Sequence, residues 1–301
     1  MEHYSTLKEL HAAYGFPPPE SPLISILFDA ERVDNFGNHI PEHTCDFYII
    51  CLKKMTSGSM KYGYGKTKYD NENGTMFFIN PRQIMEFNDA EKKVEGYLLF
   101  IHEDFLSGYP LFHEIKKYGF FDYEINEALH LSPSEEEIIG ELFQKIAIEY
   151  DNNQDEFSRE IMLSHIQSLL KYGSRFYKRQ FLNRTILSGH TINKFNEVLA
   201  NYIKKDAILK QGLPTVKCIA SKLNVSPRYL SDLLKQETGK TAIDLIHLSL
   251  ISEAKNLLKA NSQSVSEIGY ALGFENLPYF SKLFKKQVGV SPKEFREQFL
   301  N

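Results

Sequence analysis

The last third of this 301-residue chain contains an internal repeat. Residues 219–241 match residues 268–291, at an offset of 49 positions up to Val225 and of 50 positions from Tyr229 onwards. The matched positions hold mainly apolar residues at helical spacing, and the offset changes where a turn is expected. Each copy is therefore predicted to form a short helix, a tight turn and a longer helix.

Capping residues locate these helices along the sequence. Thr215 and Ser226 are suited to begin helices in the first copy, because their hydroxyls can accept hydrogen bonds from helical N–H groups. Gly273 supplies the left-handed backbone that the turn of the second copy requires. The predicted helices are 216–223 and 227–237 in the first copy, and one ending at Leu272 and one at 276–288 in the second. Gly239 is predicted to stop the second helix of the first copy.

The longer helix of each copy is predicted to bury one face and expose the other. An apolar stripe over residues 243–258 predicts a connecting helix about 24 Å long. Successive major grooves on one face of DNA are about 34 Å apart, so each copy could enter one groove. The alternative is a helical scaffold that binds only protein. The outward-facing side chains are predicted to be Arg228, Ser231, Asp232 and Lys235 in the first copy, and Asn276, Leu277, Ser281, Lys282, Lys285 and Lys286 in the second.

Several longer motifs make a family resemblance specific. The motifs are Tyr229-Leu230-Ser231, Ala254-Lys255-Asn256-Leu257-Leu258, Ile268-Gly269-Tyr270-Ala271-Leu272-Gly273-Phe274, Tyr279-Phe280-Ser281-Lys282-Leu283-Phe284-Lys285-Lys286 and Gly289-Val290-Ser291-Pro292-Lys293-Glu294-Phe295-Arg296. With them, residues 195–300 resemble the DNA-binding domain of the AraC family of bacterial transcription regulators. The resemblance implies base- or phosphate-facing roles for Arg228, Ser231, Asp232, Lys235, Asn276, Leu277, Ser281 and Lys282.

Three residues depart from the pattern of that family. Asp232 stands where Arg is frequent, and its carboxylate repels phosphate but can accept a hydrogen bond from a cytosine amino group. Leu250 replaces a customary Arg of the connecting helix, and Pro278 replaces a common Ser in a first helical turn. These departures affect individual contacts rather than the class of protein.

The charge of the chain is distributed unevenly. Residues 204–301 contain 13 Lys and 2 Arg against 9 acidic residues, a net charge of +6, which leaves −10 for residues 1–203 because the total is −4. A basic repeat region is expected for a surface that meets phosphate. Without an apolar span of about 18 residues or a secretory signal, and with cysteines that form no CxxC pair, the protein is expected to be cytoplasmic with reduced thiols.

The region before the repeat predicts a separate domain. Short apolar runs at residues 23–28, 47–52, 59–64, 75–79 and 97–101, broken by turn residues, indicate strands. Two amphipathic segments within about 134–182 indicate a helical hairpin, and Ser132-Pro133 is a typical start for its first helix. Proline-rich residues 1–22 are predicted to be a surface arm. The region resembles the cupin-like sensor domain that AraC-family members often carry, through Asp46-Phe47-Tyr48 and Asn80-Pro81.

The overall prediction is an α+β chain with three parts. A cupin-like β-barrel with an α-helical hairpin spans residues 1–187 and serves sensing and dimerisation, and a linker covers residues 188–194. An all-α domain with two helix-turn-helix units spans residues 195–301. The hairpin could instead cover an open side of the barrel.

The candidate ligand site lies in the predicted barrel. Tyr48, Tyr62, Tyr64 and Phe78 are candidates for binding a small apolar or amphipathic ligand. A metal site is not expected, because His39 and His43 are followed by neither a second closely spaced histidine nor a nearby glutamate. No cofactor and no catalytic residue is predicted.

The leading hypothesis is a ligand-responsive regulator that binds promoter or operator DNA as a homodimer. A small-molecule effector would tune DNA binding, and RNA polymerase would be a partner if the protein activates transcription. Two alternatives stay open, a metal-dependent cupin enzyme fused to a DNA-binding domain and a constitutive regulator that takes no ligand. The chain itself is predicted not to be an enzyme.

Overall fold

The chain folds into two compact units, residues 1–180 and residues 181–301. The computed structural model describes residues 1–28, 40–55, 74–87, 94–124, 127–152, 155–188, 190–204, 208, 212–260 and 262–298. None of the helices within these ranges is long and apolar enough to cross a membrane.

The N-terminal unit contains two sheets. Its strands are β1 (Glu2–Tyr4), β2 (Ile24–Phe28), β3 (Ile40–Cys45), β4 (Phe47–Met55), β5 (Thr75–Ile79), β6 (Met85–Phe87), β7 (Val94–His102) and β8 (Leu129–His130). The larger sheet has the order β2-β7-β4-β5-β8 with antiparallel neighbours throughout. In the smaller sheet, of order β1-β3-β6, β1 runs parallel and β6 antiparallel to β3.

The predicted cupin-like barrel is not confirmed. The described strands lie in two separate sheets and do not close into a single barrel. The prediction of strands near 23–28, 47–52, 75–79 and 97–101 is confirmed by β2, β4, β5 and β7. The strand predicted at 59–64 lies outside the described residues. The short apolar runs predict the strands but not how the strands pair, because pairing depends on residues that are distant in the sequence.

The prediction of a surface arm at residues 1–22 is wrong. Strand β1 pairs with β3, and helix α1 (Leu7–Tyr14) begins with a capping box in which Thr6 and Glu9 bond each other's backbone N–H. Leu10 of α1 is fully buried in a core that also contains Phe47 and Phe100. The prolines that suggested an arm follow this helix and leave it intact.

Helices and short helical turns complete the N-terminal unit. They are α2 (Glu103–Leu106), α3 (Leu111–Glu114), the turns Ile115–Lys117 and Gly119–Asp122, α4 (Pro133–Asp151) and α5 (Ser158–Ser188), of which residues 181–188 belong to the C-terminal unit. The predicted helical hairpin is present as α4 and α5, and the predicted start of α4 is correct. Ser132 caps it with Glu135 as the reciprocal partner, and Pro133 occupies the first turn.

The C-terminal unit is helical. Its helices are α6 (His190–Lys204), α7 (Val216–Leu223), α8 (Pro227–Thr238), α9 (Ala242–Ala260), α10 (Val265–Ala271), α11 (Leu277–Val288) and α12 (Pro292–Glu297). Residues 188 and 190–194, predicted to be a linker, lie at the end of α5 and the start of α6.

One hydrophobic core joins both copies of the repeat. It includes Ile219 and Leu234 from the first copy, Ile268 and Phe284 from the second, and Leu250 from the connecting helix α9. Helix α9 contacts each of the other six helices of this unit. At 19 residues it is about 28 Å long. The shared core fixes the two copies relative to each other, since protein interiors are close-packed.

Candidate nucleic-acid interface

Both copies form the predicted helix, turn and helix. The hydroxyl of Thr215 accepts a hydrogen bond from the N–H of Cys218 at 3.1 Å, and Ser226 accepts one from Tyr229 at 3.2 Å. In the second copy, Ser264 and Glu267 form a capping box at the start of α10. The predicted glycine stop after α8 is confirmed by Gly239, which has a φ of 73°.

The two turns use the same backbone conformation at matched positions. Gly273 has a φ of 81°, as predicted, and Asn224, 49 residues earlier, has a φ of 54°. Asparagine tolerates this left-handed region better than most residues with a side chain. The helices of the two copies therefore meet through equivalent turns despite different turn sequences.

The outer face of α8 carries a bonded pair of opposite charges. Nε of Arg228 donates a hydrogen bond to Oδ2 of Asp232 at 3.0 Å, one helical turn along, and the two side chains are 48% and 28% exposed. Lys235, another predicted contact residue, is exposed, and Ser231 is half-buried. Leu230 and Leu234 on the opposite face are buried. The exposed face of α8 thus offers both a cation and an anion.

The outer face of α11 is purely basic. Lys282, Lys285 and Lys286 are exposed, and the helix contains no acidic residue. By contrast, α8 carries two basic and two acidic residues. Of the two helices, α11 therefore presents the stronger positive charge to a polyanion.

The remaining predicted residues of α11 contribute to the structure of the unit itself. Oδ1 of Asn276 accepts the N–H of Tyr279 at 2.9 Å, so this side chain caps the helix. Leu277 packs towards α10, where a Cβ added at Gly269 would lie 2.6 Å from its Cδ2. Ser281 is half-buried. The first turn of α11 is thus partly committed to packing and capping.

His247 of α9 borders the same helix. Its Nε2 lies 3.4 Å from the hydroxyl of Tyr279. Burial lowers the pKa of His247 and Lys286 lowers it further, while Asp244 acts in the opposite direction. The lowered pKa favours the neutral imidazole, so His247 contributes little to the positive charge of this surface. Sequence reasoning missed this contact, because nothing in the spacing relates positions 247 and 279.

The bond between Arg228 and Asp232 was also missed, although its signal was available. The two residues are four positions apart on a predicted helix, the spacing at which opposite charges meet. The family resemblance implies a separate role towards DNA for each residue and does not indicate their attraction to each other.

Comparison with known proteins places this unit in a family. The helix-turn-helix domain family matches residues 219–298. The arabinose operon regulatory protein of Escherichia coli is 36% identical over 81 residues, which cover 27% of this chain and 28% of that protein. Residues 219–298 are a helix-turn-helix domain of the AraC family.

Two further proteins are similar to part of this chain. The uncharacterised regulator YdiP of Escherichia coli is 32% identical over 110 residues, covering 33% of this chain and 36% of that protein. The solved C-terminal domain of AraT, a response regulator from Geobacillus stearothermophilus, is 32% identical and covers 37% of this chain and 87% of that one, with a TM-score of 0.32. The chain thus spans about a third of the length of the curated relatives.

The departures from the family pattern are accommodated in the AraC-type domain. Leu250 is buried in the common core, where an arginine would lose its hydration. Pro278 lies in the first turn of α11, where its missing N–H breaks no helical hydrogen bond. Asp232 is bonded to Arg228, so its charge is partly compensated.

Two of the four candidate ligand residues are described, and both are core residues. Tyr48 and Phe78 are 3% and 4% exposed. The ring of Tyr48 packs on Phe121 at 5.2 Å, and that of Phe78 on Phe120 at 4.3 Å. Burial raises the pKa of Tyr48 to about 12. Tyr62 and Tyr64 lie outside the described residues.

No metal-binding group is found among the described residues. No three or more of their His, Cys, Asp and Glu side chains are grouped so that they could hold an ion. His43, considered as a ligand, instead bonds the hydroxyl of Tyr14 through Nε2 inside the N-terminal unit. His39 lies outside the described residues.

Proposed function

We propose that this protein is a transcription regulator that binds a specific double-stranded DNA site with α8 and α11 in successive major grooves. The main support for this proposal is that one hydrophobic core holds two helix-turn-helix units whose second helices have exposed polar faces. The similarity of this region to the arabinose operon regulatory protein also supports the proposal. The residues proposed to face DNA are Arg228, Ser231, Asp232, Lys235, Asn276, Leu277, Ser281, Lys282, Lys285 and Lys286.

Binding to promoter fragments from the protein's own genome tests this function. The wild-type chain should shift a small set of fragments in a salt-dependent manner, and Arg228→Ala and Lys282→Ala should abolish or weaken the shift. Lys8→Ala, which removes a lysine from the N-terminal unit, is the matched control and should bind as the wild type does. Equal binding to all fragments by every variant would reject specific recognition.

We further propose that the protein acts as a homodimer through the hairpin of α4 and α5. Ile148 of α4 is exposed, as are Phe157 and Ile161 at the start of α5. A contiguous exposed apolar patch is typical of an interaction surface, and we propose that these three side chains form one. Sedimentation of the wild type should give twice the monomer mass, and Ile148→Asp with Ile161→Asp should give the monomer. A wild-type monomer at high concentration would exclude this dimer.

A small-molecule effector of the N-terminal unit is the remaining part of the proposal. Because Tyr48 and Phe78 are packed among other rings, an effector that reaches them must displace part of the aromatic core. Such binding should raise the melting temperature, since a ligand that binds only the folded state stabilises it. RNA polymerase would be a partner if the regulator is an activator. A screen of small apolar and amphipathic compounds that shifts neither melting nor DNA affinity would favour a constitutive regulator.

A further inference from the structure

Arg228 lies at the end of α8 that a helix-turn-helix protein directs towards base edges. Ser226 caps this helix and Pro227 is its first residue, so Arg228 is the second. Recognition helices contact bases mainly with their N-terminal residues. Arg228 is 48% exposed at this end. Its position is therefore the one from which a side chain reads sequence most directly.

Helix stability does not account for the placement of this pair. A cation in the first turn is opposed by the positive end of the helix dipole. An ion pair at this spacing stabilises a helix more when the acidic residue comes first, whereas here Arg228 precedes Asp232. An exposed ion pair also contributes little to folding. The arrangement thus calls for an explanation outside α8 itself.

The bond between the two residues restrains the orientation of the guanidinium. The guanidinium is planar, with its N–H groups in a fixed fork, so a bond from Nε to Asp232 restrains the whole plane. The Nη1 and Nη2 end of such a fork matches O6 and N7 of guanine in the major groove. A restrained fork loses less conformational freedom when it binds than a mobile one.

The second copy has no equivalent of this arrangement. The positions matched to Arg228 and Asp232, 50 residues later, hold Pro278 and Lys282. Helix α11 instead carries three lysines, which attract phosphate without the geometric match of an arginine fork. The two helices therefore differ in chemistry as well as in charge.

We infer that Asp232 is a positioning residue that orients Arg228 to read a guanine, which makes α8 the helix that selects sequence. This inference rests on the proposed DNA-binding function. The ligand chemistry is a G·C base pair presenting guanine O6 and N7 in the major groove. Loss of Asp232 is expected to let the guanidinium of Arg228 contact phosphates at any sequence.

The test uses the full chain and a DNA site selected from a random pool by the wild type. Affinities are measured for this site, for versions with each base pair changed, and for random DNA. The proteins are the wild type, Arg228→Ala, Asp232→Asn and the double variant. The wild type should prefer guanine at one position by about tenfold or more.

Asp232→Asn should lose most of that preference while its affinity for random DNA stays the same or rises. Arg228→Ala should lose the preference completely, and adding Asp232→Asn to it should change the preference no further, because the two residues act as one unit. Arg228→Lys, which keeps the charge but not the fork, should also lose it. Lys282→Gln, at the position matched to Asp232, should weaken all sites equally and keep the preference.

Two other results have distinct meanings. If Asp232→Asn keeps the guanine preference and binds selected and random DNA more tightly by the same factor, Asp232 only repels phosphate and the inference is overturned. If the wild type binds selected and random DNA equally, the proposed function itself fails, and this is evident before any variant is measured. Circular dichroism and the melting temperature of each variant check that its overall helix content and stability match those of the wild type.

Discussion

Tyr229 and Tyr279 occupy matched positions 50 residues apart in the repeat, yet their side chains are 2% and 44% exposed. The ring of Phe181 packs edge-on against Tyr229 at 5.2 Å between centroids. The hydroxyl of Tyr279 instead lies 3.4 Å from His247. The two helix-turn-helix units therefore have the same internal design but different surroundings at the start of the second helix.

This difference predicts unequal effects of the same substitution. Tyr229→Ala should destabilise the C-terminal unit by about 3 kcal/mol, because it leaves a cavity beneath Phe181. Tyr279→Ala should cost less than about 1 kcal/mol, as expected for an exposed position. Urea unfolding of the full chain measures the loss of stability in each variant. Hydrogen exchange in residues 216–238 and 265–288 shows which of the two helix-turn-helix units is destabilised. Equal costs would mean that Tyr229 is not packed as described.

The left-handed turn residues predict a second contrast. Asn224→Ala should cost about 1 kcal/mol, since alanine adopts a positive φ less readily than asparagine. Gly273→Ala should cost more for two reasons. The added Cβ would lie 3.1 Å from backbone atoms of Gly212 and Leu213, and alanine would have to adopt a φ of 81°. Asn224→Gly is the control and should be nearly neutral. Thermal unfolding in which Gly273→Ala melts at the wild-type temperature would contradict this account of the turn.

The lysines of α11 predict an electrostatic effect without change of sequence preference. Lys285→Gln should lower affinity for all DNA sequences alike and reduce the slope of log affinity against log salt by about 0.9, the value for one lost phosphate contact. Titrations at four salt concentrations on selected and random DNA measure both quantities. Lys8→Gln, the same change in the N-terminal unit, should leave them unaltered. A changed sequence preference in Lys285→Gln would instead assign this residue to base contact.

His11 predicts how the stability of the N-terminal unit depends on pH. Burial lowers its pKa from the ordinary value of 6.5, while a hydrogen bond from Nδ1 to the carbonyl of Pro17 opposes this. Below pH 6.5 the unfolded chain binds a proton that the folded unit does not, so stability falls as the pH is lowered through this value.

The melting temperature measured between pH 7.5 and 5 tests this coupling. It should fall further for the wild type than for His11→Gln, which cannot take up the proton. His113→Gln removes an exposed histidine and should keep the full pH dependence. Identical pH profiles for wild type and His11→Gln would show that His11 does not contribute.

The AraC-type domain was largely predictable because its signals are local. The caps at Thr215 and Ser226 and the stops at Gly239 and Gly289 each act within one helical turn. The repeat shows the same helix, turn and helix pattern twice, so each copy supports the prediction made for the other. The buried residues of α8 and α11 followed from their periodicity, and the structure places them in one core.

The remainder depended on contacts between distant residues. Helix α1 was missed because the prolines after it suggested an arm, although Thr6 and Glu9 form a capping box that the sequence already contains. Sheet pairing, such as that of β1 with β3, has no local signal. The burial of Tyr229 likewise depends on Phe181, which lies outside the repeat, so comparison of the two copies could not predict it.

The proposed function requires that α8 and α11 enter successive major grooves of a specific site. Methylation interference on a site selected by the full chain measures this, because it detects guanines contacted in the major groove. We expect two patches of interference about one helical turn, roughly 34 Å, apart on one face of the DNA for each subunit, and loss of only one patch in Arg228→Ala. A single patch per subunit, or interference confined to the minor groove, would contradict it.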